Sequence, residues 1–258
     1  MLKFFRSIRK KLIEEDNVRK YLFYAVGEIL LVVIGILIAL QVNNWNENRK
    51  LSEERVRLIQ SIESDFETNR TRLKVAADFY GEINHALIRF KRLSGSDNRQ
   101  LQRDSLLYYA SFTFEHMEIE PAMSAYHTAV SSGKLEMVDN KKVVGLFTEF
   151  LSKFNDLNYH TYINGDQIFS GGMADIRREL GSLHQLCCQV EIDESPEYYV
   201  PELYRLSEDE MINYLSRSHV YSSFESMHWA IINILESLGE MQTITEEVLA
   251  EINSMGID

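Results

Sequence analysis

The residues best suited to chemistry in this sequence are two pairs with the spacing Glu-x-x-His. One pair is Glu82 and His85, and the other is Glu225 and His228. Helical bundles that bind two iron or manganese ions use two such pairs, together with single glutamates from two further helices. Three single glutamates are available for that role: Glu115, Glu118 and Glu149. A chain rich in glutamate contains such steps by chance, so a metal-dependent bundle enzyme is only the remote alternative.

The sequence lacks the other common signatures of catalysis. It has no Gly-x-Ser-x-Gly nucleophile motif, no phosphate-binding glycine loop and no His-Glu-x-x-His zinc motif. Those patterns place a nucleophile, a phosphate group or a metal at a defined point of a fold. We therefore expect neither catalysis nor a bound cofactor.

The two cysteines of the chain, Cys187 and Cys188, are adjacent. Four or more cysteines at regular spacing would indicate a disulfide framework, and two neighbours do not. Three states remain open in an oxidising compartment: free thiols, a strained bond between the neighbours, or bonds between subunits. We favour the simplest role, which is packing as small apolar side chains.

The element around which the chain is organised is the apolar stretch 21–42, YLFYAVGEILLVVIGILIALQV, which has one charged residue and no proline. About 20 apolar residues in a helix cross a hydrocarbon layer of about 30 Å. Residues 30–40 have no polar side chain, unlike an amphipathic helix of a soluble protein. A cleaved signal peptide would have a shorter apolar core and a small-x-small cleavage site. The stretch therefore predicts an uncleaved transmembrane signal anchor.

The flanking charges predict the orientation of this span. Seven lysines or arginines lie within residues 1–20, and four lie within residues 43–57. The more basic flank usually stays in the cytoplasm, and Trp and Tyr collect at membrane interfaces. We expect a cytoplasmic N-terminus, with these residues at the two membrane surfaces: Lys10, Lys11, Lys20, Tyr21 and Trp45.

Charge divides the chain into three predicted domains. Residues 1–20 form a basic amphipathic segment with a net charge of +4, which should lie on membrane lipid. Residues 21–42 form the span, and residues 43–258 form a domain with a net charge of −15. Because so acidic a domain repels phosphate backbones, we expect no nucleic-acid binding.

Within the span, one carboxylate and three small residues are candidates for helix association. An ionised carboxylate in lipid costs about 2.5–3.5 kcal/mol unless it is protonated, reaches the headgroups or finds a partner. A small-xxx-small pair such as Gly35 and Ala39 lets two helices approach closely. The predicted association residues are Gly27, Glu28, Gly35 and Ala39. The alternative is a glutamate that reaches the cytoplasmic headgroups, beside glycines with no role in association.

Beyond the span, apolar residues recur at three- and four-residue steps from Leu51 to Phe90. This spacing predicts an amphipathic helix that ends near Ser94. No proline or glycine lies between Gly35 and Gly81, so the span and this helix are predicted to be continuous.

The rest of the chain also has helical spacing. The elements predicted in its middle are a helix over 104–117, a helix from Pro121 to Ser132 capped by Gly133, a helix from Asp139 to Gly165 or Gly171, a helix over 173–186 and a loop over 189–201. Ser207 and Glu210 form a predicted capping box, and an apolar stripe over 220–252 predicts a long last helix. We therefore predict an all-α chain, with one transmembrane helix continuing into a helical bundle.

Residues 20–50, from KYLFYAVGE through ILLVVIGILIALQVNNWNENRK, resemble the opening of a family of Gram-negative bacterial membrane proteins defined only as a domain of unknown function. Residues 126–138, YHTAVSSGKLEMV, are similar in a weaker way. The resemblance implies an inner-membrane anchor with a periplasmic helical domain. It implies no activity and no catalytic residue.

Two functions therefore remain besides the metal enzyme. The first is a membrane-anchored periplasmic protein that acts by protein–protein interaction, as a scaffold or an envelope sensor, with a protein partner or a second copy of itself. The second is an accessory subunit of an inner-membrane complex that works through the span and Glu28.

Overall fold

The computed structural model describes residues 18–96, 102–180 and 207–256, and these ranges contain helices and no strand. The helices there are α1 (Val18–Ser94), α2 (Arg103–Phe112), α3 (Ser124–Ser131), α4 (Lys141–Phe169), α5 (Gly172–Leu180), α6 (Glu208–Leu215) and α7 (Ser218–Ser254), with a 3-10 turn at Leu135–Val138. The predicted fold class is confirmed: a long apolar N-terminal helix is followed by a helical bundle.

The chain divides into two compact units, Met1–Arg57 and Leu58–Asp258. The boundary falls within α1, which is a single helix of 77 residues. The absence of helix-breaking residues between Gly35 and Gly81 predicts this continuity.

In the described part of the chain, one helix is long and apolar enough to cross a membrane, and it is the apolar part of α1. None of its most apolar 18-residue window is buried. Leu31 is 71% exposed and Ile38 is 59% exposed, so the described residues leave both side chains largely uncovered. Such a surface suits lipid or another apolar helix.

The second unit is built on α7, which runs antiparallel to both α1 and α4. Ion pairs show the direction along α1, because Arg70 contacts Glu246 whereas Lys91 contacts Glu225. Against α4, Lys142 pairs with Glu251 whereas Lys153 pairs with Glu240. Helices in this arrangement bury one continuous apolar stripe each.

The buried stripes are largely those that the spacing predicts. Every apolar position predicted for α7 from Val220 to Ile252 is buried, and so are Ile62, Phe66 and Phe90 on α1. Leu51 was included in the predicted α1 stripe but is 54% exposed, because it lies in the first unit, before the bundle begins.

The segment 113–123 is non-helical and is held by side chains of α1. Asn69 donates to the carbonyl of Ala122 at 2.9 Å and accepts from its N–H at 2.6 Å. The hydroxyl of Tyr80 donates to the Met117 carbonyl at 2.8 Å, and burial raises the pKa of this phenol to about 12. These bonds from α1 give backbone groups of Met117 and Ala122 their partners without a helix.

This bonding makes the predicted start of the third helix wrong. The helix begins at Ser124 rather than near Pro121. A carboxylate from α1 supplies the missing cap, because Asp65 accepts from the backbone N–H of Ala125 at 2.8 Å. A cap that comes from 60 residues away has no local sequence signal.

The predicted start of α4 at Asp139 is also wrong, by two residues. Asp139 has a left-handed backbone with φ of 50°, which ends the preceding turn. Asn140 is the N-cap, and its side chain accepts from the N–H groups of Lys142 and Val143. Of the two ends considered for this helix, the structure has the later one, since α4 continues through Gly165 to Phe169.

The capping box at Ser207 and Glu210 is confirmed, and it opens the short helix α6 rather than α7 itself. Hydrogen bonds from the side chain and the backbone N–H of Ser207 lower the pKa of the Glu210 carboxyl group.

Several predicted features lie outside the described residues. They are the basic segment 1–20 apart from its last three residues, the helix over 181–186, Cys187, Cys188 and the loop over 189–201.

We expect replacement of the N-cap Asn140 by Ala to lower the free energy of unfolding by about 1 kcal/mol. The loss arises because the N–H groups of Lys142 and Val143 no longer have the side-chain oxygen Oδ1 of Asn140 as acceptor. Urea denaturation of the full chain in detergent measures the difference. Lys141→Ala, an exposed neighbour with no capping role, is the matched control and should change the value by less than about 0.5 kcal/mol. Equal effects of the two substitutions would contradict the assignment.

Candidate functional site

The four predicted association residues lie in the apolar part of α1. Gly27, Gly35 and Ala39 are exposed, and Glu28 is half-buried. A Cβ atom added at Gly35 would meet no atom within 4 Å, so nothing in the described chain occupies its surface. The small residues are thus available to a second helix.

Only some of the predicted membrane-interface residues belong to the described part of the chain. Trp45 is 67% exposed, and the guanidinium of Arg49 lies over its ring at 6.0 Å from the centroid. Lys20 and Tyr21 are in the first turns of α1. Lys10 and Lys11 lie outside the described residues. An exposed indole next to a cation suits the headgroup layer that was predicted for Trp45.

The two Glu-x-x-His steps do not come together as metal ligands. His228 is paired with Asn84 and Lys91, and Glu225 forms an ion pair with the same Lys91. His85 instead contacts Arg89 and the ring of Tyr109. Throughout the ranges described, no group of three or more His, Cys, Asp or Glu side chains is placed to hold a metal ion. Glu225 and His228 both have the ammonium of Lys91 as a partner.

The polar contacts of His228 determine which of its ring nitrogens carries the proton. A lysine ammonium can only donate, so His228 Nδ1 must accept from Lys91 Nζ at 3.0 Å. The proton of the neutral ring is therefore on Nε2, which donates to Asn84 Oδ1 at 2.9 Å. This network joins α7 to α1 through one neutral histidine.

We expect the second unit to lose stability as the pH falls below about 6.5, the ordinary pKa of histidine. Burial lowers the pKa of His228, and the nearby Lys91 lowers it further, against the opposing effect of Glu225. Because the unfolded chain then binds a proton more readily than the folded chain, the contribution is complete above pH 6.5 and is lost at lower pH. Urea denaturation between pH 7.5 and 5 measures it.

His228→Gln should remove this part of the pH dependence, because glutamine does not titrate in that range. His127→Gln is the control, since His127 is exposed on α3 and has no part in the network. If the stability of the His228→Gln variant falls with pH as steeply as that of the parent chain, then His228 is not its source.

A cleft of about 640 Å³ lies between α1 and α2 and is called here the α1–α2 cleft. The residues that line it are Ala77, Asp78, Gly81, Glu82, His85, Ala86, Tyr108, Tyr109 and Phe112. The rings from α2 are inclined to one another, at 72° between Tyr108 and Tyr109 and at 58° between Tyr108 and Phe112. The cleft therefore combines two carboxylates of α1 with an aromatic wall from α2.

A second groove, also of about 640 Å³, lies between α4 and the segment 113–123. Glu118, Glu120 and Asp166 make it acidic, and Tyr162 and Phe169 are exposed at it. Beside it, His116 Nδ1 lies 2.9 Å from Oδ1 of the buried Asn164, which links the segment to α4.

Sequence reasoning identified Glu82 and His85 but gave them the wrong neighbours. In the structure they line a cleft with the rings of α2, which lie within the helix predicted over 104–117. The one signal in the sequence is the pair of adjacent tyrosines, Tyr108 and Tyr109, on a predicted helix. Adjacent positions point about 100° apart on a helix, so both rings cannot be buried under the same stripe.

Comparison with known proteins shows a family for this chain but no activity. No curated protein and no solved structure matches the chain. A family model, described as "Family of unknown function (DUF6090)", matches residues 28–182. The match begins at Glu28 within the apolar part of α1 and extends beyond the end of α5, so it includes most of the helices described above. The chain belongs to this family of unknown function, DUF6090.

Proposed function

We propose that this chain is a single-pass membrane protein whose helical second unit binds another protein or a second copy of itself, as a scaffold or an envelope sensor, without catalysis. The observation that carries the proposal is the apolar part of α1, which the described residues leave uncovered over its most apolar window. Leaving that many leucine, isoleucine and valine side chains in water is costly, at about 25 cal/mol for each Å² of apolar surface. Lipid removes that cost.

The location that we propose is the bacterial inner membrane, with the N-terminus in the cytoplasm and residues 43–258 in the periplasm. Support comes from the excess of basic residues before the span and from the net charge of −15 after it. The same charge favours protein partners over nucleic acid, and membrane lipid is the partner proposed for residues 1–20 and the span.

Affinity purification of the tagged full chain from detergent-solubilised membranes tests the proposal. The comparison variant carries an unrelated single-pass anchor in place of residues 21–42. Partners that are retained by both chains support a role of the second unit in binding. The proposal would be contradicted if the parent chain retained no protein and if two differently tagged copies of the chain also failed to retain each other.

The accessory-subunit alternative is favoured by the small residues exposed on the apolar part of α1. Among the described residues, none lies within 4 Å of a Cβ atom added at Gly35, and Ala39 is exposed, so this part of the helix has room for close contact with a helix of a polytopic protein. Under this alternative, the retained partner is lost when residues 21–42 are replaced. Glu28→Gln and Glu28→Leu then reduce crosslinking within the membrane, and unchanged crosslinking in both variants would rule out a role for Glu28.

A further inference from the structure

The α1–α2 cleft has two carboxylates, Asp78 and Glu82, that no described lysine or arginine neutralises. Asp78 and Glu82 are one helical turn apart, so they lie on the same face of α1 and repel each other. Neither has an ion-pair partner among the residues that the structure describes. By contrast, Glu67 and Glu246 share Arg70 at 2.8 and 2.7 Å. A cation bound in the cleft would relieve the repulsion.

The opposite wall suits an organic cation rather than a metal ion. A metal ion would need several closely spaced oxygen or nitrogen ligands. Here the wall consists of Tyr108, Tyr109 and Phe112, whose rings attract ammonium or guanidinium groups at their faces. Tyr108 is 43% exposed, so its ring is accessible from solvent.

The other lining residues fit the aliphatic part of such a cation. Ala77 and Ala86 are small and apolar, and Gly81 has no side chain. Lysine and arginine carry a charged head on three or four methylene groups, which pack on apolar surface while the head stays polar. None of the described residues that line the cleft is a lysine or an arginine, and the volume of the cleft is in the range of specific ligand sites.

We propose that the α1–α2 cleft binds a lysine or arginine side chain of the partner protein, with the charge at Asp78 and Glu82 and the methylene groups against the α2 rings. The choice of a protein side chain rests on the proposed function. It also follows from charge, since a domain with a net charge of −15 attracts a basic protein segment.

The test uses the full chain in neutral detergent and the fluorescent peptide Gly-Ser-Lys-Ser-Lys-Gly. The control is the same peptide with norleucine in place of both lysines. Fluorescence anisotropy should show binding of the lysine peptide only. Changing both Asp78→Asn and Glu82→Gln should weaken it about tenfold or more. The charge-matched variant Glu149→Gln with Glu236→Gln, at exposed positions outside the cleft, should weaken it less than about twofold.

A second variant separates blocking of the cleft from loss of charge. Gly81→Met leaves the charge unchanged, and a Cβ atom at Gly81 meets nothing within 4 Å, so the side chain enters the cleft without displacing the backbone. It should weaken peptide binding about fivefold or more. Gly239→Met on α7 has equally open surroundings and should leave binding unchanged. Both substitutions favour the helix, so neither should unfold it.

Three results would overturn the inference. The first is that the double variant in the cleft and the double variant outside it weaken peptide binding equally. The second is that Gly81→Met binds the lysine peptide as tightly as the parent chain, and the third is that the norleucine peptide binds as tightly as the lysine peptide. The affinity purification described under the proposed function distinguishes a wrong assignment of the cleft from a wrong proposed function. If the Gly81→Met chain retains every partner of the parent chain, only the assignment of the cleft is wrong. If the parent chain itself retains no protein, the proposed function is wrong as well.

Discussion

Replacing Phe224 by Ala is expected to lower the free energy of unfolding of the second unit by about 3–5 kcal/mol. Phe224 is fully buried on α7, with its ring centroid 3.9 Å from that of Phe90 on α1. The ring of Phe114 approaches it edge-on at 6.4 Å. One side chain therefore joins three parts of the bundle, and its removal leaves a cavity between them that the helices cannot fill without moving.

Denaturation of the full chain in detergent, followed by tryptophan fluorescence and circular dichroism, measures this loss. Phe169→Ala is the matched control, because Phe169 is 63% exposed on α4, with the guanidinium of Arg177 over its ring at 5.1 Å. It should lower stability by less than about 1 kcal/mol. A Phe224→Ala chain as stable as the control would show that the α1–α7 packing described here is wrong.

The second large effect is expected for Asn69→Ala, at about 1–3 kcal/mol. Asn69 is fully buried, and its amide is hydrogen-bonded to both backbone groups of Ala122. Without it, the segment 113–123 loses an attachment to α1, and a carbonyl and an N–H are left without partners. Asn253→Ala, at an exposed position of α7, should change stability by less than about 0.5 kcal/mol.

Hydrogen exchange distinguishes the cause of this loss from general destabilisation. Amide protection in Asn69→Ala should fall first at residues 113–125 and on α3, because these groups depend on the attachment to α1. Uniform loss of protection over α4 and α7 would instead indicate global destabilisation and would contradict this role of Asn69.

The sequence was sufficient for the long helices, because each buries a stripe whose period is that of the helix. The stripe of α7 from Val220 to Ile252 is the clearest case, since every predicted position is buried. The capping box at Ser207 was equally predictable, because all of its hydrogen bonds lie within four residues.

The errors at α3 and at residues 113–123 occur where a local element depends on a distant side chain, whereas the error at the start of α4 lies in the choice between two neighbouring residues, Asp139 and Asn140, as the cap. The start of α3 is set by Asp65, and the non-helical course of residues 113–123 is set by Asn69 and Tyr80. None of these contacts leaves a pattern in the neighbouring sequence. Pro121 is a common first residue of helices, so the local signal pointed to a start that the contacts with α1 override.

The α1–α2 cleft was unpredictable for a related reason. Its carboxylates and its rings lie on two helices, and which faces meet depends on how α2 packs against α1. Periodicity identifies the buried face of each helix but not the alignment of one helix along another. Glu82 and His85 were therefore noticed as a motif, and their aromatic neighbours were not.

We propose that the apolar part of α1 fixes the chain in a membrane with the second unit on the outer side. Protease treatment of intact spheroplasts from a Gram-negative host, which produce the full chain with an epitope tag after Asp258, tests both the membrane attachment and the orientation. We expect the chain to sediment with membranes and protease to remove the tag from intact spheroplasts. A tag that survives until the membrane is broken, or a chain recovered in the soluble fraction, would contradict it.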